Sequence, residues 1–442
     1  MQLTEAVRTS PLRARLGAAA CLLLASGLPA PAGAEATPGT QLDLSALLYG
    51  ERGRTSVVEP SVRLTRAFED GQSLSAQFEF DVVSGASPTG ASRSTLAQTV
   101  TGASGAAGTT IPAGELPTRS YEDRRFAGDV AWQKPFLRSL VTTLSGYFSR
   151  ETDYLSLGAG GKLAIELPGR RTTLNVGGAF NHDRVSPEGG FRPGLSDASV
   201  PVAPDDDGGE DEHEDDDGDE SEAREGRPKD VTSAMVGLSQ VVSRRWLVGV
   251  NATRTFERGY LTDPYKLVSV LDPVTGEPTS LLTEKRPDRR ERTSVLGSSV
   301  YHLAEDVVYL SYRYYWDDWK VRSHTWDLKY RRELGGGTYL EPHVRHYRQG
   351  PAEFFRHSLV GGAPLPRHAT ADGRLGELRS ITAGATVGFR LPGSAGEWTV
   401  RAEYIAQLGQ GHPADAIGIQ RDFDLAPRLD VGSLLVSYSV GY

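Results

Sequence analysis

The feature of this chain that most constrains its fold is an alternation of apolar and polar residues that recurs along most of its length. In the segment 246–256, for example, Val248 and Val250 alternate with Gly249 and Asn251. A period of two matches the two faces of a β-strand, so each such segment is predicted to be a strand with one apolar and one polar face. Sixteen segments are predicted, at 41–49, 57–67, 73–83, 125–133, 139–149, 154–166, 172–182, 230–242, 246–256, 291–302, 307–316, 321–332, 338–348, 377–390, 397–408 and 429–441.

The connections between these segments are tight turns and long loops in alternation. Tight turns are predicted at Glu69–Gly71, around Pro135, and at Pro168–Gly169, Ser243–Arg245, Ala304–Asp306, Gly335–Gly337 and Pro392–Gly393. The connections between them are mostly long, at 84–124, 183–229, 257–290, 349–376 and 409–428. This pattern is typical of outer-membrane barrels. The predicted fold class is all-β: a transmembrane antiparallel up-and-down β-barrel of about sixteen strands, with short periplasmic turns and long extracellular loops.

The tryptophans also favour a barrel that crosses a membrane. Trp132, Trp246 and Trp398 lie beside tight turns, whereas Trp316 and Trp319 flank a hairpin tip at the other end. Aromatic residues form girdles at the two interfaces of a bilayer, and these positions predict two such girdles. A closed sheet would also pair every backbone amide within the hydrocarbon and leave no strand edge exposed.

The first segment, 1–34, is predicted to be a cleaved secretory signal. Basic residues precede the apolar stretch 16–28, and the small residues 32–34 follow it, which is the order found in secretory signals. The barrel domain is accordingly predicted at 35–442. Its last strand has an apolar face that ends on Tyr442, which we interpret as an assembly signal.

Cysteine usage limits the chemistry of the chain. The single cysteine, Cys21, lies within the predicted signal. If it leaves with that segment, disulfides, thiolate metal sites, cysteine nucleophiles and haem attachment are excluded. A lipid anchor on Cys21 is the alternative. No cofactor and no metal site are predicted.

An acidic loop insert is predicted at about 203–228. Thirteen carboxylates between Asp205 and Glu222 more than account for the net charge of −9, and the rest of the chain has no basic surface for nucleic acid. Blocks of like charge are usually disordered and solvated. Weak binding of divalent ions is the alternative, because glycines and His213 accompany the carboxylates.

The polar faces of the later strands supply candidates for the barrel interior. A barrel of this size is wide enough to hold water unless loops fill it. The lumen-lining candidates are Arg313, Asp327, Lys329, Arg331, Glu341, His343, Arg345, Arg401 and Glu403. Both signs of charge are present, so the sequence leaves open whether they line a polar lumen or pair across a plugged one.

Two segments with ligand-binding residue types are interpreted mainly as turns. Asp81–Pro88 is expected to end a strand and begin a loop. Arg258–Lys266 is expected to form a turn, with Tyr260 and Tyr265 as anchors at the membrane surface. A ligand pocket is the alternative for the second segment.

The search for catalytic residues gives none. Asp317 and Asp318 lie at a hairpin tip near His324, where a solvated tip is favoured over a metal or proton-transfer site. His343 lies in no serine motif, and the chain has no G-x-S-x-G elbow and no H-E-x-x-H sequence. The protein is therefore predicted not to be an enzyme.

Several segments together carry a family resemblance. They are Asp81–Pro88, Asp123–Arg125, Asp153–Tyr154, Arg258–Lys266, Tyr312–Trp319 with Ser323–Thr325, and Arg345–Gln349 followed by Phe354 and Phe355. This set resembles DUF3570, a Gram-negative family of unknown function regarded as outer-membrane barrels. The resemblance implies an outer-membrane location, and it hints at an envelope redox system.

The expected function is that of an outer-membrane channel or scaffold, which either passes small polar solutes or houses a periplasmic redox partner. The alternatives are a non-conducting surface binding barrel and an outer-membrane hydrolase. The expected partners are outer-membrane lipid and lipopolysaccharide, the barrel-assembly machinery and a periplasmic redox partner, but no nucleic acid.

Overall fold

The computed structural model describes residues 38–100, 109–198 and 226–442. The predicted signal at 1–34 lies outside the described residues, as does the acidic run from Asp205 to Glu222. Among the described residues, no helix is long and apolar enough to cross a membrane.

Strands dominate the described part of the chain. They are β1 (Gly39–Glu51), β2 (Thr55–Ala67), β3 (Ser73–Pro88), β4 (Gln98–Val100), β5 (Thr109–Ile111), β6 (Thr118–Leu137), β7 (Leu140–Arg150), β8 (Tyr154–Glu166), β9 (Thr172–Val185), β10 (Arg227–Ser243), β11 (Trp246–Gly259), β12 (Leu267–Leu271), β13 (Pro278–Thr283), β14 (Arg289–Leu303), β15 (Asp306–Asp317), β16 (Arg322–Gly335), β17 (Thr338–Gln349), β18 (Leu359–Val360), β19 (Leu378–Phe389), β20 (Glu397–Gly409) and β21 (Leu429–Gly441). Two short 3-10 helices lie at Gly373–Leu375 and Gly418–Arg421.

Sixteen of these strands close into one antiparallel barrel, as the alternation predicts. Their order around the barrel follows the chain: β1, β2, β3, β6 to β11, β14 to β17, and β19 to β21. The sheet closes where β1 pairs with β21, from Gln41 opposite Gly441 to Glu51 opposite Val431. Backbone bonds between Thr40 and Tyr442 extend this seam by one residue, at 3.0 and 2.8 Å.

Three predicted boundaries are wrong, because the strands run further than the alternation of apolar residues. Asp81–Pro88 does not begin a loop but continues β3, paired with β6 throughout. Pro135 does not form a turn; it pairs with Val141 beside a register shift, and the reversal comes at 138–139. The predicted insert at 203–228 overlaps a strand, since β10 begins at Arg227.

The outer face of the wall is an apolar belt. Large apolar side chains stay exposed on successive strands, among them Leu44, Phe78, Leu144, Val176, Val236, Val250, Leu328 and Val344. Their neighbours along each strand point inward and are largely polar. Exposed apolar rows around a closed sheet are the surface that a lipid bilayer requires.

The two ends of the barrel differ as predicted. Seven tight connections lie at one end, at 68–72, 138–139, 167–171, 244–245, 304–305, 336–337 and 390–396. The connection at 336–337 depends on glycine. Gly335, Gly336 and Gly337 all have positive φ, at 85°, 61° and 75°, which residues other than glycine rarely adopt. The other end carries five long loops, at 89–117, 186–226, 260–288, 350–377 and 410–428, and short turns at 52–54, 151–153 and 318–321.

The described parts of the five long loops fold together; we call this assembly the loop cap. In it, β12 pairs with β13 and β18, so that loop 260–288 joins loop 350–377 in one small sheet. The amide of Ser92 donates to Ser269 Oγ at 2.8 Å, which ties in loop 89–117. Because these loops leave the wall at separate places around the barrel, their contacts cross its mouth.

One predicted girdle residue belongs to the cap instead. Trp319 is only 4% exposed and packs with Leu261, Phe354 and Leu375 in an apolar cluster at the long-loop end. Its indole donates to the Arg289 carbonyl at 2.8 Å. The prediction that Trp319 faces the bilayer interface is therefore wrong, because a hairpin tip that meets the cap turns its aromatic side chain inward.

Candidate functional site

The register of the later strands gives the position of every lumen-lining candidate. Asp327 lies opposite Ser311 and Arg345, on the face away from exposed Leu328 and Val344. The same face carries all nine: Arg313, Asp327, Lys329, Arg331, Glu341, His343, Arg345, Arg401 and Glu403. Whether they line an open path stays a prediction.

A histidine links several strands on this inner face. His343 Nε2 lies 2.9 Å from Asp327 Oδ2, and His343 Nδ1 lies 2.7 Å from Glu403 Oε1. Arg345 Nε also donates to Asp327 Oδ2, at 2.9 Å. The bond to Glu403 passes over β19 at Gly384, where a Cβ would lie only 2.6 Å from Glu403 Cγ. The glycine therefore leaves the space in which the two side chains meet.

Two further ion pairs on the inner face join strands that are neighbours in the sheet. Lys229 Nζ lies 3.3 Å from Asp183 Oδ2, between β10 and β9. Arg290 Nη2 lies 2.5 Å from Asp317 Oδ2, between β14 and β15. Each pair runs along the wall, so these charges are neutralised laterally and do not need a partner across the lumen.

The centre of the loop cap is a buried set of charges from loops 260–288 and 350–377. Arg286 Nη2 donates to Asp372 Oδ2 at 2.8 Å and to Glu284 Oε2 at 3.1 Å. Arg374 Nη2 lies 2.6 Å from Asp263 Oδ2 and 2.5 Å from Asp372 Oδ2. Buried charges are tolerated when they are paired and hydrogen-bonded in this way, and removing one partner is costly.

The environment shifts the acid–base properties of these groups in opposite directions. Burial would raise the pKa of Asp372, but the charges of Arg374 and Arg286 outweigh it and hold that pKa well below its usual range. The pKa of Asp263 is lowered in the same way, because the positive charges of Arg374 and Lys266 outweigh the effect of burial. For Glu284, burial outweighs the pull of Arg286 and raises the pKa.

Two cavities lie where the cap meets the wall. The larger has a volume of about 180 Å³ and lies between the cap and strand ends that include Glu51, Thr55 and Gln407. The smaller has a volume of about 110 Å³ and is lined by residues that include Asp123 and Asp153. Four residues line both cavities: Ser87, Pro88, Tyr121 and Lys266.

Lys266 is the charged residue common to the two cavities. It is 8% exposed, and its ammonium donates to Ser87 Oγ at 3.2 Å and to the Pro88 carbonyl at 2.5 Å. Burial lowers the pKa of Lys266, aided by Arg374 and opposed by Asp372. Since Ser87 and Pro88 end β3, the lysine fixes loop 260–288 to the wall.

Three carboxylates come together beside the smaller cavity. Asp123, Glu151 and Asp153 each offer an oxygen, and these oxygens lie within 4.8 Å of one another. Oxygen ligands of this kind suit hard cations such as Ca²⁺. Part of their capacity is used by the protein, because Thr152 Oγ1 donates to Asp123 at 2.9 Å and the Tyr265 hydroxyl to Asp153 at 2.9 Å.

The bond from Tyr265 also corrects the interpretation of its segment. Tyr265 lies inside the cap region with the Arg119 guanidinium 4.0 Å from its ring centre, and Tyr260 packs edge-on against Phe191 at 4.9 Å. The turn at 261–266 is as predicted, but the two tyrosines are not anchors at the membrane surface. The alternative interpretation of this segment is a ligand pocket, and the smaller cavity does lie beside it.

At the hairpin tip, Asp317 is buried, contrary to the prediction of a solvated turn, whereas Asp318 is exposed as predicted. Asp317 accepts hydrogen bonds from Arg290, from the Tyr315 hydroxyl at 2.8 Å and from the Val321 amide at 2.8 Å. His324 instead lies on the exposed side of the wall, bonded to the Tyr312 hydroxyl at 2.7 Å. The structure therefore does not bring Asp317 and His324 together, and Asp317 is a structural ion-pair partner.

Sequence reasoning missed the cavities, although the segments of the family resemblance contain much of their lining. Ser87 and Pro88, Asp123, Asp153 and Lys266 all come from those segments. Each lies at the long-loop end of its strand or in the loop beyond. The clustering of these segments at the long-loop end is the signal in the sequence that could have indicated the cavities.

Comparison with known families decides the membership of the chain. The family described as "Protein of unknown function (DUF3570)" matches residues 13–440. This chain belongs to the DUF3570 family. The predicted resemblance is thereby confirmed, and it covers nearly the whole chain. The comparison with curated proteins gives no match.

Solved outer-membrane structures are similar at low identity. OpdK of Pseudomonas aeruginosa has 10% identity and a TM-score of 0.39, over 92% of this chain and 99% of that one. The toluene transporter TodX of Pseudomonas putida has 9% identity and a TM-score of 0.39, over 94% and 93%. A ferric enterobactin receptor mutant of P. aeruginosa has 11% identity and a TM-score of 0.42, over 92% and 60%. The fold assignment rests on the strand pairing described above.

Proposed function

We propose that this DUF3570 protein is an outer-membrane channel for small polar solutes, with its loop cap on the external side as the element that controls entry. The observation that carries the proposal is the lateral pairing of the inner-face charges. Arg345 with Asp327, and Lys229 with Asp183, pair along the wall. A wall that is neutralised in this way leaves the centre of a polar cylinder free for water and solute.

Two features of the barrel support an outer-membrane location. The apolar belt needs a bilayer, and the closed antiparallel sheet satisfies its backbone within one. Short turns face the periplasm in barrels of this kind, so the long loops and the cap would face outward.

The cap suits a control element because a buried set of ion pairs lies at its centre. Its centre depends on Arg286 and Arg374, each paired with Asp372. The cavities beside it lie against the wall, where a solute would pass between the cap and the strand ends. A loosened cap would widen that path, whereas the intact cap would limit it.

Single-channel recording tests this proposal. Purified protein that shows heat-modifiable migration on gels is inserted into planar lipid bilayers, with a boiled sample as the control. We expect discrete conductance steps from the folded sample alone. Repeated insertion of folded protein without any steps would contradict the channel.

A non-conducting binding barrel is the second candidate, and the buried cap favours it. Asp263, Glu284 and Asp372 are all nearly or fully buried, which is consistent with a lid that stays closed. Such a protein would give no conductance and would still bind a ligand in the cap region. Bilayer recording combined with a binding measurement separates the two candidates.

Two further expectations remain predictions. A scaffold for a periplasmic redox partner would be tested by co-purification of a flavin- or thiol-bearing protein with the barrel from native envelopes. The absence of hydrolase activity would be tested with a covalent serine probe, and labelling of the folded protein would contradict it.

A further inference from the structure

The larger cavity is bordered by three cationic side chains that have no carboxylate within ion-pair distance in the described ranges. They are Arg54 from the β1–β2 turn, Arg93 from loop 89–117 and Lys266 from loop 260–288. Elsewhere in the cap and on the inner wall, arginines such as Arg286 and Arg290 have close carboxylate partners. The lining of this cavity therefore includes three cationic side chains without a carboxylate within ion-pair distance among the described residues.

Arg93 and Lys266 each retain a capacity to bind a further group. Arg93 donates from Nη1 to the Gly114 carbonyl at 3.3 Å, but its Nε is buried without a hydrogen-bond partner. Lys266 is bonded to two neutral oxygens, those of Ser87 and Pro88. Burial lowers the pKa of Arg54, and the charge of nearby Glu51 opposes that shift.

The acidic residues around the same cavity are engaged with other groups. Glu51 accepts from the Tyr49 hydroxyl at 2.8 Å, and Glu377 lies 3.3 Å from Arg379. Asp372 is bound by both Arg286 and Arg374. The lining of the cavity therefore holds four cationic side chains against three carboxylates: Arg54, Arg93, Lys266 and Arg374 against Glu51, Asp372 and Glu377.

Neutral polar groups complete the lining. His357 Nε2 is buried without a hydrogen-bond partner, and burial lowers the pKa of this histidine, so the ring is neutral and one nitrogen can donate to a ligand. The Tyr121 hydroxyl bonds to Thr55 Oγ1 at 2.8 Å. A volume of about 180 Å³ suits a molecule of only a few carbon atoms.

We propose that this cavity is a binding site for a small organic anion, with Arg54 and Arg93 as the anion-binding residues and Lys266 at its inner side. Guanidinium groups bind carboxylate and phosphate oxygens in pairs, and partial desolvation strengthens such bonds. This inference deepens the proposed function, since the anion would be the solute that enters the channel. Binding does not require conduction, so the two proposals can fail separately.

Equilibrium binding tests the site on the full-length folded protein in detergent. Isothermal titration uses succinate, inorganic phosphate and neutral glycerol as probes. We expect saturable binding of succinate that weakens with added salt, and no binding of glycerol. Stronger binding of phosphate than of succinate would identify the site as one for phosphate-type anions and would overturn the assignment to organic carboxylates.

Matched variants locate the binding. Arg54→Gln and Arg93→Gln should each weaken succinate binding at least tenfold, while Arg52→Gln, which removes an exposed charge from the same turn as Arg54, should change it less than twofold. Heat-modifiable migration checks that each variant is folded. Equal effects of Arg52→Gln and Arg54→Gln, or the absence of succinate binding to folded wild type, would overturn the proposal.

Discussion

The wall and the loop cap of this barrel are built by different means. In the wall, the backbone ladders join strands that are neighbours in the sheet, such as the pairing of β14 with β15 from Arg292 to Leu303. In the cap, the decisive contacts join loops far apart in the chain, as when Gln420 Nε2 donates to the Arg93 carbonyl at 2.8 Å. The wall is thus fixed by a local pattern, and the cap by polar and apolar contacts between segments that are distant in the chain.

This difference predicts separate responses to mutation. A wall residue contributes through burial in lipid and through a backbone ladder that is continuous around the sheet. A cap residue contributes through individual ion pairs that are buried and therefore costly to break. Changes in the cap should loosen the loops and leave the wall intact, whereas changes in the wall should affect the whole fold.

The largest effect is expected from breaking the cap at Arg374. Arg374→Gln removes one ion-pair partner from each of Asp263 and Asp372, which should cost about 3–5 kcal/mol of local stability, as is usual when one member of a buried ion pair is lost. Limited proteolysis should cut loop 260–288 faster, while the barrel keeps its heat-modifiable migration. Arg379→Gln, which removes an exposed arginine, serves as the control; equal cleavage of both variants would contradict a cap held by Arg374.

The next effect concerns the outer face of the wall. Leu328→Arg places a charge in the apolar belt and should lower the free energy of unfolding in lipid by about 2–4 kcal/mol. The adjacent change Lys329→Arg keeps a charge on the inner face and should cost less than about 1 kcal/mol. Denaturant titration in lipid vesicles measures both variants. Similar costs for the two would mean that the faces are assigned wrongly.

A smaller effect is expected at the crossing of His343 and Glu403. Gly384→Ala brings a Cβ to 2.3 Å from the Ala402 carbonyl oxygen, so it should destabilise the wall by about 1–3 kcal/mol, as overpacking does. Gly146→Ala adds a Cβ with nothing within 4 Å and is the matched control. The same denaturant titration compares them, and an unchanged midpoint for Gly384→Ala would argue against the close contact.

The smallest effect is the pH dependence of the cap. Asp372 and Asp263 have lowered pKa values, so the stability they contribute is present above the ordinary value of 3.8 and is lost as pH falls through their folded values. Glu284 has a raised pKa, so its protonation adds stability as pH falls from neutral toward its ordinary value of 4.5. The protection of loop 260–288 against hydrogen exchange, corrected for the intrinsic pH dependence of amide exchange, should rise modestly as pH falls from neutral toward 4.5 and should be lost well below 3.8. Loss of protection between pH 7 and 5 would contradict this assignment.

The wall could be predicted from the sequence, and the cap could not. Rows such as Trp326, Leu328 and Tyr330 set against Asp327 and Lys329 show directly which face meets lipid, because the period of a strand is fixed by the backbone. All sixteen strands and the difference between the two ends follow from that period and the turn residues.

The candidate site lies beyond such reasoning for a physical reason. Nothing local in the sequence links Asp263 to Arg374 or Ser92 to Ser269, since loop contacts carry no period. The burial of Asp317 could not be predicted for the same reason, because it depends on the cap and on the ion pair with Arg290. The family segments indicated which residues matter, and only the folded loops show that several of them border two cavities.

The most direct measurement is the single-channel conductance before and after an engineered disulfide links two loops of the cap. Ser92→Cys with Ser269→Cys, in a chain with Cys21→Ser, places one thiol on each of the two loops that the 2.8 Å bond from the Ser92 amide to Ser269 Oγ joins. We predict that this pair oxidises readily, that single-channel conductance falls when the disulfide forms, and that a reductant restores it. A disulfide that does not form, or one that forms and leaves the conductance unchanged, would contradict a loop cap that folds across the mouth of the barrel and controls entry.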